Sequence, residues 1–172
     1  LHSFPTRRSS DLMQKVTLIC VGKLKEKFYA EATAEYAKRL SRFCKLEIVE
    51  LPESRLSDSP SAAEISQALA AEASLIEARI PKGSALIAMC IEGRELSSPQ
   101  LADKMRQFAL SGASSLTFLI GGSVGLSPAI KAQADFRLSM SPMTFPHHLA
   151  RVMLLEQLYR SFKIDEGSSY HK

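Results

Sequence analysis

Several familiar signatures are missing from this chain. Cysteine is scarce: Cys20, Cys44 and Cys90 cannot all pair with one another, and no CxxC occurs. Each lies in or beside an apolar run, which predicts free core thiols in a reducing cytoplasm rather than a disulfide framework. No apolar run approaches the roughly 18 residues that a membrane span needs. There is no GxGxxG, GxxxxGK[ST] or HExxH. These gaps argue against a dinucleotide fold, a P-loop and a zinc-protease helix.

What is present is ordinary for a globular enzyme or binding protein. The chain has 172 residues, 45% of them hydrophobic and 23% charged. That is one domain's length, with enough surface to bury to fold without disulfides or metal. The formal net charge is +4. Its distribution is uneven: residues 13–51 and 137–172 are net basic, and 52–136 are net acidic. Basic ends that meet in space would suit an anionic partner such as nucleic acid, and a solvated basic surface is the alternative. Residues 1–12, LHSFPTRRSSDL, lack both a signal-type apolar core and hydrophobic periodicity. They read as a non-native leader, with one domain expected over 13–172 and full activity expected of a chain that starts at Met13.

From Met13 onward, strand-like and helix-like patterns alternate. Val16–Val21 is a β-branched apolar run, and residues 25–43 then repeat apolar groups at three or four. Lys45–Leu51 alternates charged and apolar residues, Ala62–Ile80 is an Ala- and Glu-rich helix, and Ala85–Ile91 is a continuous run of buried-strand type. Ser98-Pro99 and Ser127-Pro128 each read as a Ser N-cap followed by Pro at the first helical position. Between them Leu116–Ile120 is a further buried strand, followed by a short strand at Phe136–Met140. A last helix spans His147–Lys163, with Leu149, Val152, Leu155, Leu158, Tyr159 and Phe162 on its apolar side and Arg151, Glu156 and Arg160 on its polar side. Glu156 and Arg160 have the spacing of an exposed ion pair. The alternation predicts an α/β fold, a mostly parallel sheet flanked by helices.

In such sheets ligands bind beyond the carboxyl ends of the strands. Three loops qualify: Glu92–Glu95, Gly121–Ser127 (GGSVGLS) and Ser141–Phe145 (SPMTF). The glycines read equally as a tight turn needing positive φ and as a backbone that a ligand can approach. His147-His148 makes a poor metal site, because neighbouring residues on a helix point about 100° apart and no third ligand stands at a suitable spacing. Tyr170-His171-Lys172 at the end combines a ring, a group titrating near neutrality and a cation. These suit base stacking, proton transfer and phosphate contact, and a disordered terminus is the competing reading.

VGKLKEKF, IEGRELSS, FLIGGSVGLS, MTFPHHLARVMLLEQLYRSFKI and the final YHK, in that order, closely resemble one family. It is the ribosomal RNA large subunit methyltransferase H family of the SPOUT class, and the resemblance covers residues 13–172. It implies a C-terminal trefoil knot, a homodimer in the cytoplasm, and S-adenosyl-L-methionine as methyl donor, with no metal and no membrane. The implied reaction methylates N3 of a pseudouridine in helix 69 of 23S rRNA within the assembled ribosome. Carried over by position, the cofactor contacts are Met89, Gly121, Met140, Ser141, Pro142, Met143, Thr144 and Phe145. Met89 stands where other members have leucine, a volume-conserving change. Arg151, Tyr170 and His171 are the candidates for handling the proton and charge on the nucleophilic nitrogen. Lys23, Lys25, Lys27, Arg160 and Lys172 are the candidates for rRNA phosphates. A non-catalytic RNA-binding module would also explain the basic ends, though not the glycine- and methionine-bearing loops. A flavodoxin-like nucleotide-binding protein would fit the pattern, but VGKLKEKF is a poor phosphate loop.

Overall fold

The computed structural model describes residues 13–167. The leader, residues 1–12, and the closing Tyr170, His171 and Lys172 lie outside the described residues. The chain runs β1 (Gln14–Val21), α1 (Lys27–Leu40), β2 (Cys44–Leu51), α2 (Ala62–Glu77), β3 (Ser84–Glu95), α3 (Ser98–Leu110), β4 (Ser115–Ile120), α4 (Pro128–Gln133), β5 (Phe136–Ser139) and α5 (His147–Asp165). The strands form one five-stranded sheet in the order β2-β1-β4-β3-β5. Every pairing in it is parallel, as the alternating pattern predicted.

Strand periodicity splits the core in two. Successive side chains on a strand point to opposite faces. Val16, Leu18 and Cys20 of β1 therefore join one cluster, with Leu116 and Phe118 of β4 and Leu154, Leu155 and Leu158 of α5. Ile19 and Val21 join the other, with Ala73 and Ile76 of α2 and Ile130 of α4. Both faces of β4 are covered, so all six of its residues are buried.

Four local expectations need correction. α3 begins one residue earlier than its Ser-Pro pair suggests: Ser97 is the N-cap and forms a capping box with Gln100, which puts Pro99 second in the helix. The Ser127-Pro128 start has the expected arrangement, with the Ser127 hydroxyl accepting from the Ile130 N–H. Glu92–Glu95 is not a free loop. β3 pairs with β5 through Met89, loses register, and pairs again at Arg94 and Glu95, so the intervening residues bulge from the sheet. The buried stripe of α5 is Arg151, Leu154, Leu155, Leu158 and Ser161, which places Arg151 inside rather than on the polar side. Finally, Cys20 and Cys44 are buried thiols, but Cys90 is only half-buried and is not a core residue. Burial pushes the Cys20 and Cys44 thiols up to about 12, because the thiolate would lose its hydration.

Candidate functional site

The loops beyond β3, β4 and β5 converge on one pocket of about 230 Å³. Seven of the eight expected contact residues line it: Met89, Gly121, Met140, Ser141, Met143, Thr144 and Phe145. Pro142 is not part of the lining. The β3 bulge supplies one wall through Cys90, Ile91 and Glu92. The walls are mainly thioether and aliphatic, which suits a flat and largely apolar ligand.

The turn after β4 supplies the floor. Gly122 and Gly125 form an isolated antiparallel bridge, closed by the Gly125 N–H donating to the Gly122 carbonyl at 3.0 Å. A Cβ on Gly121 would overlap the backbone of Gly125. Glycine at 121 is therefore a packing requirement, whereas at Gly125 it is conformational, with φ +80°. Open space lies where a Gly125 side chain would stand, so that backbone is free to be approached. The two readings of the glycine run, turn and site, describe the same residues.

Sequence reasoning missed several neighbours of the pocket. Lys131 of α4 pairs with Glu92 at 2.5 Å, and both line the pocket. That contact, with the Lys131 charge, holds the Glu92 carboxyl below its usual range. Glu53, just beyond β2, accepts hydrogen bonds from the backbone N–H and the hydroxyl of Ser123, both at 2.7 Å. Burial works to raise its carboxyl, but the two Ser123 bonds, helped by the nearby His147 and His148, outweigh it, and the group lies below its ordinary value. Nothing in the sequence linked this position to Ser123, 70 residues away.

His147 lines the pocket and His148 packs beside it, ring centroids 4.1 Å apart. His148 Nδ1 lies 3.5 Å from the Glu26 carboxylate. Burial first, and then the neighbouring His148, push the His147 pKa below its ordinary value. Among the described residues no group of three or more His, Cys, Asp or Glu side chains is placed to hold a metal ion. Among the same residues no helix is long and apolar enough to cross a membrane.

Arg151 is not part of the pocket lining but is buried on the same helix, one residue beyond the pocket-lining Ala150. Its side chain is 1% exposed, donating to Glu50 at 2.5 Å and to the Gly22 carbonyl at 3.0 Å. It thereby ties the start of α5 to the ends of β1 and β2. The Leu24 N–H also donates to Glu50, at 3.1 Å. Lys23, Lys25 and Lys27 are exposed on the segment that leaves β1, and Lys27 lies 3.8 Å from Glu31. Arg160 pairs with Glu156 at 2.8 Å as the spacing suggested, although both are half-buried rather than exposed.

Residues 14–171 match the family model described as "Predicted SPOUT methyltransferase". A ribosomal RNA large subunit methyltransferase H of Acetivibrio thermocellus is 48% identical over 158 residues, covering 92% of this chain and 99% of that one. One of Bifidobacterium adolescentis is 49% identical with the same coverage. A putative ribosomal RNA large subunit methyltransferase H of Methanococcus maripaludis is 49% identical over 157 residues, covering 91% of this chain and 99% of that one. Among solved structures, a probable methyltransferase from Bordetella pertussis superposes with TM-score 0.53 at 19% identity, covering 87% of this chain and 95% of that one. A probable methylase family protein from Haemophilus influenzae gives TM-score 0.52 at 12% identity, with 92% and 71% covered. At those identities the structural likeness concerns the fold.

Proposed function

The chain belongs to the ribosomal RNA large subunit methyltransferase H family of SPOUT methyltransferases, and from that membership we propose that it methylates N3 of a pseudouridine in helix 69 of 23S rRNA on assembled ribosomes. The observation that carries the reading is the convergence of Met89, Gly121 and the 140–145 loop on one apolar pocket. S-adenosylmethionine fits that donor set: its adenine is flat, and its charged sulfur is tolerated by polarisable thioether walls beside the Glu92 carboxylate. When bound, it supplies an activated methyl group that needs no metal.

The protein's own share is orientation and charge. The glycine turn and the 140–145 loop fix the donor, with Met89, Met140 and Met143 as walls. The imide nitrogen of the pseudouridine must lose its proton as its lone pair takes the methyl, so a nearby base and positive charge lower the barrier. We assign proton handling to Tyr170 and His171. Arg151 is buried and already bonded to Glu50 and Gly22. We therefore read it as the residue that positions α5 and contributes positive potential, not as one that touches the base. Lys23, Lys25, Lys27, Arg160 and Lys172 are read as phosphate contacts.

We propose a homodimer in the cytoplasm with a composite site. Leu149, Val152 and Met153 on α5 are only partly buried, and they support an apolar surface for a second copy. A trefoil knot in the C-terminal part belongs to the same reading. The deciding experiment adds the protein and S-adenosylmethionine to ribosomes from a strain lacking this methylation. Mass spectrometry of the 23S rRNA fragments should then show one new methyl on the helix 69 pseudouridine. Absence of that methyl, with the protein folded, would overturn the proposal.

A further inference from the structure

We infer that Glu53 is a positioning residue for the cofactor pocket, clamping the glycine turn after β4 in the shape that receives the donor. The inference rests on the reading of that pocket as the S-adenosylmethionine site. Glu53 lies 70 residues from Ser123 in sequence, yet a single carboxylate oxygen accepts from both the N–H and the hydroxyl of Ser123, at 2.7 Å each. The same oxygen lies only 2.6 Å from where a Cβ on Gly122 would stand. Gly122 is therefore glycine to let the carboxylate lie flat against the turn. No left-handed backbone demands it, because the positive-φ residue of the turn is Gly125.

The other carboxylate oxygen faces the first residue beyond β1. A Cβ on Gly22 would meet Glu53 Oε2 at 3.4 Å and the His147 ring at 3.3 Å. Glu53 thus reaches from the end of β2, past Gly22, to the turn after β4, and it stands near the pocket-lining His147. Within the turn, the other backbone tie is the bridge between Gly122 and Gly125. Three glycines in five residues leave that turn with much conformational entropy to lose. Hydrogen bonds to an ionised acceptor are the strong kind, and here they hold the turn before any ligand arrives. Preorganisation of this sort appears as affinity, because ordering that the ligand would otherwise have to impose is already done.

A positioning role predicts a split between binding and turnover. Full-length Glu53→Ala, Glu53→Gln and Ser123→Ala proteins would be titrated calorimetrically with S-adenosylhomocysteine. They would also be assayed on ribosomes across a range of S-adenosylmethionine concentrations. Glu53→Ala should weaken binding about tenfold or more, in line with two lost bonds to a charged acceptor. KM for S-adenosylmethionine should rise in step, and kcat at saturation should stay within about twofold. Glu53→Gln keeps an acceptor oxygen in place and should recover most of the affinity. Ser123→Ala removes one of the two bonds and should fall between wild type and Glu53→Ala. If Glu53→Ala does not fold, Ser123→Ala decides on its own. Binding within about twofold of wild type in whichever of these folds overturns the inference, as does a fall in kcat with KM unchanged. Failure of the wild-type protein to bind S-adenosylhomocysteine is a different result, one that removes the pocket reading itself.

Discussion

Removing the Glu50 carboxylate should destabilise the protein more than removing the arginine that it holds. The two partners sit in unequal surroundings: the Arg151 side chain is 1% exposed and that of Glu50 is 35%. Glu50→Ala strands a guanidinium that cannot discharge and cannot reach water. Breaking a buried pair this way costs about 3–5 kcal/mol, and the partial exposure of Glu50 brings the expectation to about 3 kcal/mol. Arg151→Met instead leaves a carboxylate that keeps water and the Leu24 N–H, while the Gly22 carbonyl loses one donor. That loss should cost about 1–2 kcal/mol. The double variant should therefore be more stable than Glu50→Ala alone, because methionine removes the stranded charge. Urea unfolding at fixed protein concentration measures this, and with a slope near 2 kcal/mol/M the Glu50→Ala midpoint falls by about 1.5 M. The pH dependence has a definite sign. Burial acts to raise Glu50, but the Arg151 bond, the Leu24 N–H and the Arg151 and Lys23 charges leave it below its usual 4.5. Its contribution is then complete above pH 4.5 and disappears as pH falls through the lowered value, so wild type and Glu50→Ala should converge in acid. A double variant less stable than Glu50→Ala would refute the account of a stranded charge.

Gly121→Ala should abolish S-adenosylhomocysteine binding by calorimetry while lowering stability by about 1–3 kcal/mol, the range for overpacking. The added Cβ meets Gly125 backbone rather than an adaptable side chain, so the larger Gly121→Val change would displace the turn further. A thiol reagent on the native protein should label Cys90 and spare Cys20 and Cys44, since Cys90 lines the pocket and the other two are buried. Saturating S-adenosylhomocysteine should protect it, and equal labelling with and without ligand would place the ligand elsewhere. Deleting Tyr170–Lys172 should leave cofactor affinity unchanged and lower kcat at least about tenfold, the lower range for losing a general acid–base group. An undiminished kcat would show that the tail takes no part in the chemistry.

The residues themselves determined whatever depends on near neighbours. β-branched runs, helical spacing and Ser-Pro starts marked all ten elements, and the parallel sheet followed from their alternation. The GGSVG and SPMTF segments were recognisable as strand-end loops, and they line the pocket. Only the tertiary structure decided which distant groups meet. Arg151 looks like a surface residue because its immediate neighbours allow a polar face. It is inside because Glu50, 101 residues earlier, and the Gly22 carbonyl converge on it. Glu53 stood in an unremarkable loop until the sheet brought the ends of β2 and β4 together. The bulge in β3 was equally invisible, since register depends on the partner strand β5. Local propensity is set within a few residues, whereas a parallel sheet gathers its loops at one edge from every part of the chain, and the site is made of those meetings.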